Sequence, residues 1–264
     1  MSILLIKNIV LNGEKKEILI SGNKIEKIGA NIDCDVERVI DGKGKFVIPG
    51  FVNMHTHAAM TIMRGIGEDL SLMEWLQNKI WPTESKLTDE MVYWGTKLAC
   101  LEMIKTGTTC FNDQYWFLPE AVRATDEMGM RSLQSFVILD LMDESRSEKI
   151  IEDCYKNYDL SRGWSDRNRF AIGVHSPYSV SGKMIRWAGE FAKERDLLVH
   201  LHLSETHQEN EDCIKNMGFT PTRYLDDLGI LDSNVLAAHC LWIDDDDIPV
   251  LAERGIPRWS HLRI

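Results

Sequence analysis

The chain has 264 residues, of which 44% are hydrophobic and 27% charged, the composition of an ordinary globular protein. A net charge of −11 argues against an electropositive face for nucleic acid, and no apolar run approaches the roughly eighteen residues of a membrane span. Six cysteines lie scattered without a CxxC pair, the pattern of reduced thiols in a cytoplasmic protein.

Residues 1–46 alternate apolar and polar positions in short runs, punctuated by Asn12-Gly13, Gly22-Asn23 and Gly42-Lys43-Gly44. They are expected to form a small antiparallel β-domain. From residue 47 the pattern changes to strand followed by helix, which argues for parallel βα units. Strands are expected at 47–54, 108–112, 131–139, 170–174, 197–203 and 234–239. Helices are expected at 88–105, 119–129, 145–158, 182–196 and 208–228. The acidic run 244–247 reads as the first turn of a further helix, where carboxylates meet the positive end of the dipole. The domain reading is therefore 1–46 and 47–264, the second an α/β barrel with about six βα units.

The polar residues with chemistry collect at the ends of these strands. His55 and His57 close the first, Asn112 and Asp113 the second, and Asp140 follows the third. His175 ends the fourth, His202 and Glu205 the fifth, and His239 the sixth. In a (β/α)8 barrel the active site lies at the carboxyl ends of the strands. Residues i and i+2 of a strand share a face, so His55 and His57 can share one metal ion. His200 shares a face with His202, and spacing alone leaves open which of the two is a ligand. His207 and His261 read as surface residues. Taken singly, Glu84 could be a helix first-turn carboxylate, His175 a turn residue and His239 an interior histidine. Residues 72–81 carry Trp, Met and Leu at helical spacing, as core or as pocket wall.

The motifs PGFVNMHTHAAMTIMRG (49–65), LMEWLQNKIWPTESKLT (72–88), CLEMIKTGTTCFNDQYW (100–116), GVHSPYSVS (173–181), HLHLSET (200–206) and GILDSNVLAAHC (229–240) resemble the amidohydrolase superfamily. The resemblance is to its methylthioadenosine/S-adenosylhomocysteine/5′-deoxyadenosine deaminase branch. It implies a composite β-domain and a distorted (β/α)8 barrel with one divalent metal, zinc or else iron. It implies that His55, His57 and His202 ligate the metal, Glu205 shuttles a proton and His239 orients the attacking hydroxide. Glu84 would hold the ribose hydroxyls and His175 the base of a purine nucleoside, in a cytoplasmic enzyme whose full-length relatives self-associate. Zinc lowers the pKa of a bound water to about 7, and zinc deaminases use an acid–base glutamate that is not a ligand. Binuclear members carry a bridging lysine carbamate on the fourth strand. His175 stands there instead, which favours the one-metal site of deaminases.

Two departures qualify the resemblance. Phe136 occupies a position where relatives carry an arginine suited to a homocysteine carboxylate, so S-adenosylhomocysteine is expected to be the weaker substrate. Secondly, about 38 residues per βα unit would require about 300 for eight, within the range of such barrels but more than follow residue 46. The family's eighth-strand aspartate, ligand and base together, has no counterpart after LAERGI (251–256), and an impaired deaminase is the expectation. The alternatives are a triazine- or guanine-type hydrolase with the same metal site, or an inactive metal-binding fragment.

Overall fold

The structure is a computed structural model that describes residues 3–232 and 234–256; His261 and the segment 257–264 lie outside it. The chain divides into two compact units, Met1–Gly50 and Phe51–Ile264.

In the first unit, β1 (Ile3–Leu11), β2 (Glu14–Ser21), β3 (Lys24–Gly29) and β4 (Arg38–Asp41) form a sheet in the order β3-β2-β1-β4. Asn12 and Gly13 both have positive φ, 49° and 82°, the two-residue hairpin turn that suits the strand twist. Leu5, Leu19 and Ile32 form its small core. The unit is not purely antiparallel as expected. β4 runs parallel to β1 because the chain crosses over after β3 instead of turning straight back.

The second unit carries β5 (Phe51–Thr56), β6 (Thr108–Gln114), β7 (Arg131–Ile138), β8 (Asn168–Val174), β9 (Leu198–Leu203) and β10 (Asn234–His239), neighbours in chain order and all parallel. The first strand starts at Phe51, not at residue 47. Pro49 has no N–H for the ladder, and the first sheet bond runs from the Phe51 N–H to the Gly107 carbonyl at 2.9 Å. The central strands are buried almost throughout, and β9 (LVHLHL) is apolar apart from its two histidines. That is the signature of a parallel sheet covered on both faces.

The helices are α1 (Leu72–Trp75), α2 (Trp81–Glu84), α3 (Asp89–Thr106), α4 (Leu118–Met128), α5 (Ser147–Ser161), α6 (Gly182–Arg195), α7 (His207–Met217), α8 (Pro221–Asp227) and α9 (Asp247–Glu253). A π-helical turn, Leu76–Ile80, joins α1 to α2. The single helix expected over 208–228 is two. Gly218 ends α7 at φ 79°, and Thr220 with Pro221 starts α8 afresh. Ile172, Leu201, Met184 and Ile185 are fully buried where α6 packs on β8 and β9, and Leu225 of α8 belongs to the same core cluster. Truncating one of them to alanine costs about 2–5 kcal/mol.

Two features of packing set up the site. Helix α3 is capped by the Thr88 hydroxyl and closed by Gly107 in a left-handed conformation. Midway along it, Gly95 lies against the short 3-10 turn Ala58–Met63, where a Cβ would fall 2.4 Å from the Ala59 carbonyl oxygen. Only glycine lets the segment after His57 lie so close. Secondly, the sheet curls strongly. β5 and β10 are its outermost strands, yet the rings of His55 and His239 are 5.0 Å apart. Among the described residues no helix is long and apolar enough to cross a membrane.

Candidate active site

The end of β5 is held from below. Asp113 on β6 is fully buried, and its Oδ1 accepts the Thr56 hydroxyl at 2.8 Å and the Ala58 N–H at 2.7 Å. Burial pushes its pKa up to about 6, against the pull of those bonds. Asn112 donates to the Met54 carbonyl at 3.1 Å. With Thr56 turned toward β6, His55 and His57 take the other side of the strand.

Each imidazole is oriented from behind. His57 Nδ1 lies 2.8 Å from the Gln114 carbonyl, and His202 Nδ1 lies 2.6 Å from the His175 carbonyl. A carbonyl can only accept, so in both rings Nδ1 carries the proton and Nε2 is left with a lone pair. Those two Nε2 atoms face each other at 3.3 Å, and neither can donate to the other. His55, His202 and His239 likewise each present a ring nitrogen within 4.8 Å of the others. His55 Nδ1 is 2.7 Å from His200 Nε2, and His200 Nδ1 is 3.5 Å from the Ser135 hydroxyl. His200 is fully buried one step deeper than His202, so it braces His55 from the barrel interior.

The electrostatics match. Burial lowers His57, takes His175 down to about 4 and His200 to about 3, and holds His202 well below its ordinary value, with neighbouring imidazoles adding to the last three. Among these neutral rings, His57 and His202 turn their Nε2 lone pairs toward each other, an arrangement that fits a divalent cation. Additionally, the backbone of His239 has φ 73°, a strained conformation for a residue other than glycine.

Glu205 follows β9 and sits with its Oε2 3.7 Å from His239 Nε2. Burial alone pushes its pKa up to about 7. His175 is half-buried at the end of β8, its Nδ1 2.7 Å from the Ser179 hydroxyl. Beside it opens a cleft walled by Trp75, Leu76, Trp81 and Trp116, with His57, His175 and Glu84 on its lining. Residues 72–81 therefore serve both core and wall, since Leu76 and Ile80 are buried. Glu84 is half-buried; burial raises its pKa, while the neighbouring polar groups of Tyr115 and Trp116 oppose the rise.

The structure thus gathers His55, His57, His175, His202, Glu205 and His239 at one rim, with Glu84 across the cleft. His207 is exposed on α7. Asp140 is structural: it accepts the Ser181 N–H and hydroxyl and so ties the exit of β7 to the start of α6. Phe136 is half-buried against the core. Two buried groups escaped the sequence reading: the bracing role of His200, and Glu209, whose only trace is Thr206 three residues ahead of it, an ordinary helix-cap spacing.

A model of the amidohydrolase family matches residues 46–263. The chain is 43% identical over 258 residues to a 5′-deoxyadenosine deaminase of Methanocaldococcus jannaschii, an alignment covering 96% of this chain and 61% of that protein. It is 42% identical over 262 residues to a 5-methylthioadenosine/S-adenosylhomocysteine deaminase of Thermococcus sibiricus, covering 97% of this chain and 62% of the relative. Among solved structures, an adenosine deaminase from Xanthomonas campestris with bound zinc superposes with a TM-score of 0.88 at 31% identity, over 97% of this chain and 61% of that one. The chain therefore spans a little over three-fifths of the length of the relatives it matches.

Proposed function

The chain belongs to the amidohydrolase family, and from that premise we propose that its site hydrolyses an adenosine-type nucleoside to the inosine analogue and ammonia. The observation that carries the reading is the pair of facing Nε2 lone pairs of His57 and His202, with a proton-exchanging carboxyl, Glu205, at the same rim. The names of the relatives at 42–43% identity support the substrate class.

His55, His57 and His202 would hold one divalent metal, zinc in preference to iron, with each ring oriented by a bond behind it to His200, the Gln114 carbonyl and the His175 carbonyl respectively. When bound, the metal makes water nucleophilic at neutral pH. The remaining work falls to side chains. Glu205 carries one proton of the attacking water to the purine ring nitrogen and then the second, from the added hydroxyl, to the amine, so that C6 becomes a carbonyl as ammonia leaves. A carboxyl with a pKa near 7 both accepts and releases a proton at neutral pH. His239, with its Nε2 3.7 Å from the Glu205 carboxyl, orients the water. His175 binds the base, the tryptophan walls of the cleft exclude water from it, and Glu84 accepts the ribose hydroxyls. Phe136 offers no cation to a homocysteine carboxylate, so 5′-deoxyadenosine and 5′-methylthioadenosine are preferred to S-adenosylhomocysteine.

In this reading the protein acts in the cytoplasm, in S-adenosylmethionine salvage, as part of a homo-oligomer, without nucleic-acid or membrane partners. Residues 1–46 are the N-terminal part of a composite β-domain, and the barrel begins at Phe51.

The test is release of ammonia or chloride by the purified, zinc-loaded chain from 5′-deoxyadenosine, 5′-methylthioadenosine, guanine and a chlorotriazine. Ammonia from the nucleosides is expected. Turnover of guanine or the triazine alone would assign the site to the sister chemistry. Bound zinc with no turnover of any substrate would make this polypeptide a metal binder and not a catalyst.

A further inference from the structure

Glu209 is 5% exposed, and the reaction proposed above does not use it. It is the third residue of α7, and its own N–H donates to the capping Thr206 hydroxyl at 3.1 Å. In a capping box a glutamate at this position reaches back to the N–H of the capping residue. This one reaches further. Its Oε1 accepts the Ser204 N–H at 3.0 Å and its Oε2 accepts the Glu205 N–H at 2.8 Å. Both oxygens of a buried carboxylate are thus committed to two successive amides at the exit of β9.

The same turn is gripped from its other side. The Ser204 carbonyl accepts the N–H groups of Leu241 and Trp242 at 3.1 and 3.0 Å, and the Leu203 carbonyl accepts that of Cys240 at 2.8 Å. Ser204 has φ 48°, a left-handed conformation that a serine does not hold unaided. Burying a carboxylate is costly, and although burial pushes the Glu209 carboxyl up to about 7, both its oxygens are bonded to the peptide groups that aim Glu205. A helix cap alone would not require that reach.

We infer that Glu209 is a positioning residue: its carboxylate clamps the Ser204–Glu205 backbone and so sets the Glu205 carboxyl against His239 and the substrate. The catalytic part of this inference rests on the deaminase reading; the clamp itself does not.

Two variants test it in the full chain. Glu209→Gln keeps the size but offers one acceptor, with an amide N–H₂ facing the second backbone N–H. Glu209→Asp keeps the charge at the first turn but is one methylene short. A simple helix cap tolerates both. The clamp predicts that hydrogen exchange at the Ser204 and Glu205 amides speeds up about tenfold or more, the loss of one charged hydrogen bond, while the amides of residues 199–202 keep their protection. It also predicts that kcat for 5′-deoxyadenosine falls about tenfold or more, with KM changed less than about threefold. Unchanged exchange at those two amides in both variants would overturn the clamp. Faster exchange there with kcat intact would overturn its catalytic role. If the wild-type chain releases no ammonia, the deaminase reading fails and takes the catalytic part with it, and the exchange measurement alone decides the clamp.

Discussion

His57 and His202 meet through their Nε2 atoms at 3.3 Å, and each is turned that way by a backbone carbonyl on its far side, Gln114 and His175 respectively. Neither nitrogen can donate, so the fold holds two acceptors in a contact that only a cation makes favourable. Zinc at a hundred times its Kd would add about 2.7 kcal/mol to stability. For a domain of this size that is a rise in Tm of about 5–10 °C. Thermal melts of chelator-stripped and zinc-reloaded protein should differ by this amount; coincident melts would contradict the site.

His200 stands behind His55, away from the proposed metal position, with Ser135 behind it in turn. Replacing such a supporting partner typically weakens metal affinity about 10–100-fold. The His200→Gln variant should show that loss in a competition titration against a chromophoric chelator. His207→Ala, on the exposed face of α7, should titrate like wild type. Equal affinities for all three proteins would show that His200 does not support metal binding.

Burial raises the Glu205 pKa from 4.5 to about 7. The folded state therefore holds this proton more tightly than the unfolded chain. The associated stability is complete below about pH 4.5 and is lost as pH rises through about 7. A glutamine does not titrate. Metal-free Glu205→Gln should gain on wild type as pH increases, approaching about 3 kcal/mol at most and levelling off above pH of about 7. Urea melts across this interval measure the difference; a gap that does not change with pH contradicts the burial argument.

Glu84 stands across the cleft from His57 and His175, and its proposed partners are the ribose hydroxyls. Glu84→Gln should raise KM for 5′-deoxyadenosine about tenfold, the value of a charged hydrogen bond, with kcat within about threefold. A substrate without the 2′- and 3′-hydroxyls should respond far less. If both substrates suffer alike, the carboxylate serves the wall of the cleft and not the sugar.

Much of this architecture is legible in the chain, for identifiable reasons. Strand alternation is local, so His55 and His57 could be paired on one face without knowing the fold, and β10 occupies the residues expected of it, Asn234–His239. His200 and His202 obey the same alternation and look alike in the sequence. They differ only in depth along β9, which depends on where the sheet curls. Glu209 was hidden for another reason. Thr206 and Glu209 have the spacing of an ordinary helix cap, and the reach to Ser204 and Glu205 depends on a left-handed serine that no residue type announces. The break at Gly218 was masked by apolar positions that continue at helical spacing into α8.

The proposed one-metal site of His55, His57 and His202 is read out by counting zinc per chain after equilibration with excess metal and gel filtration. One zinc in the wild type, and none retained by His57→Ala or His202→Ala while the fold persists by circular dichroism, is the predicted result. Two zinc ions per chain, or one that survives both substitutions, would contradict it.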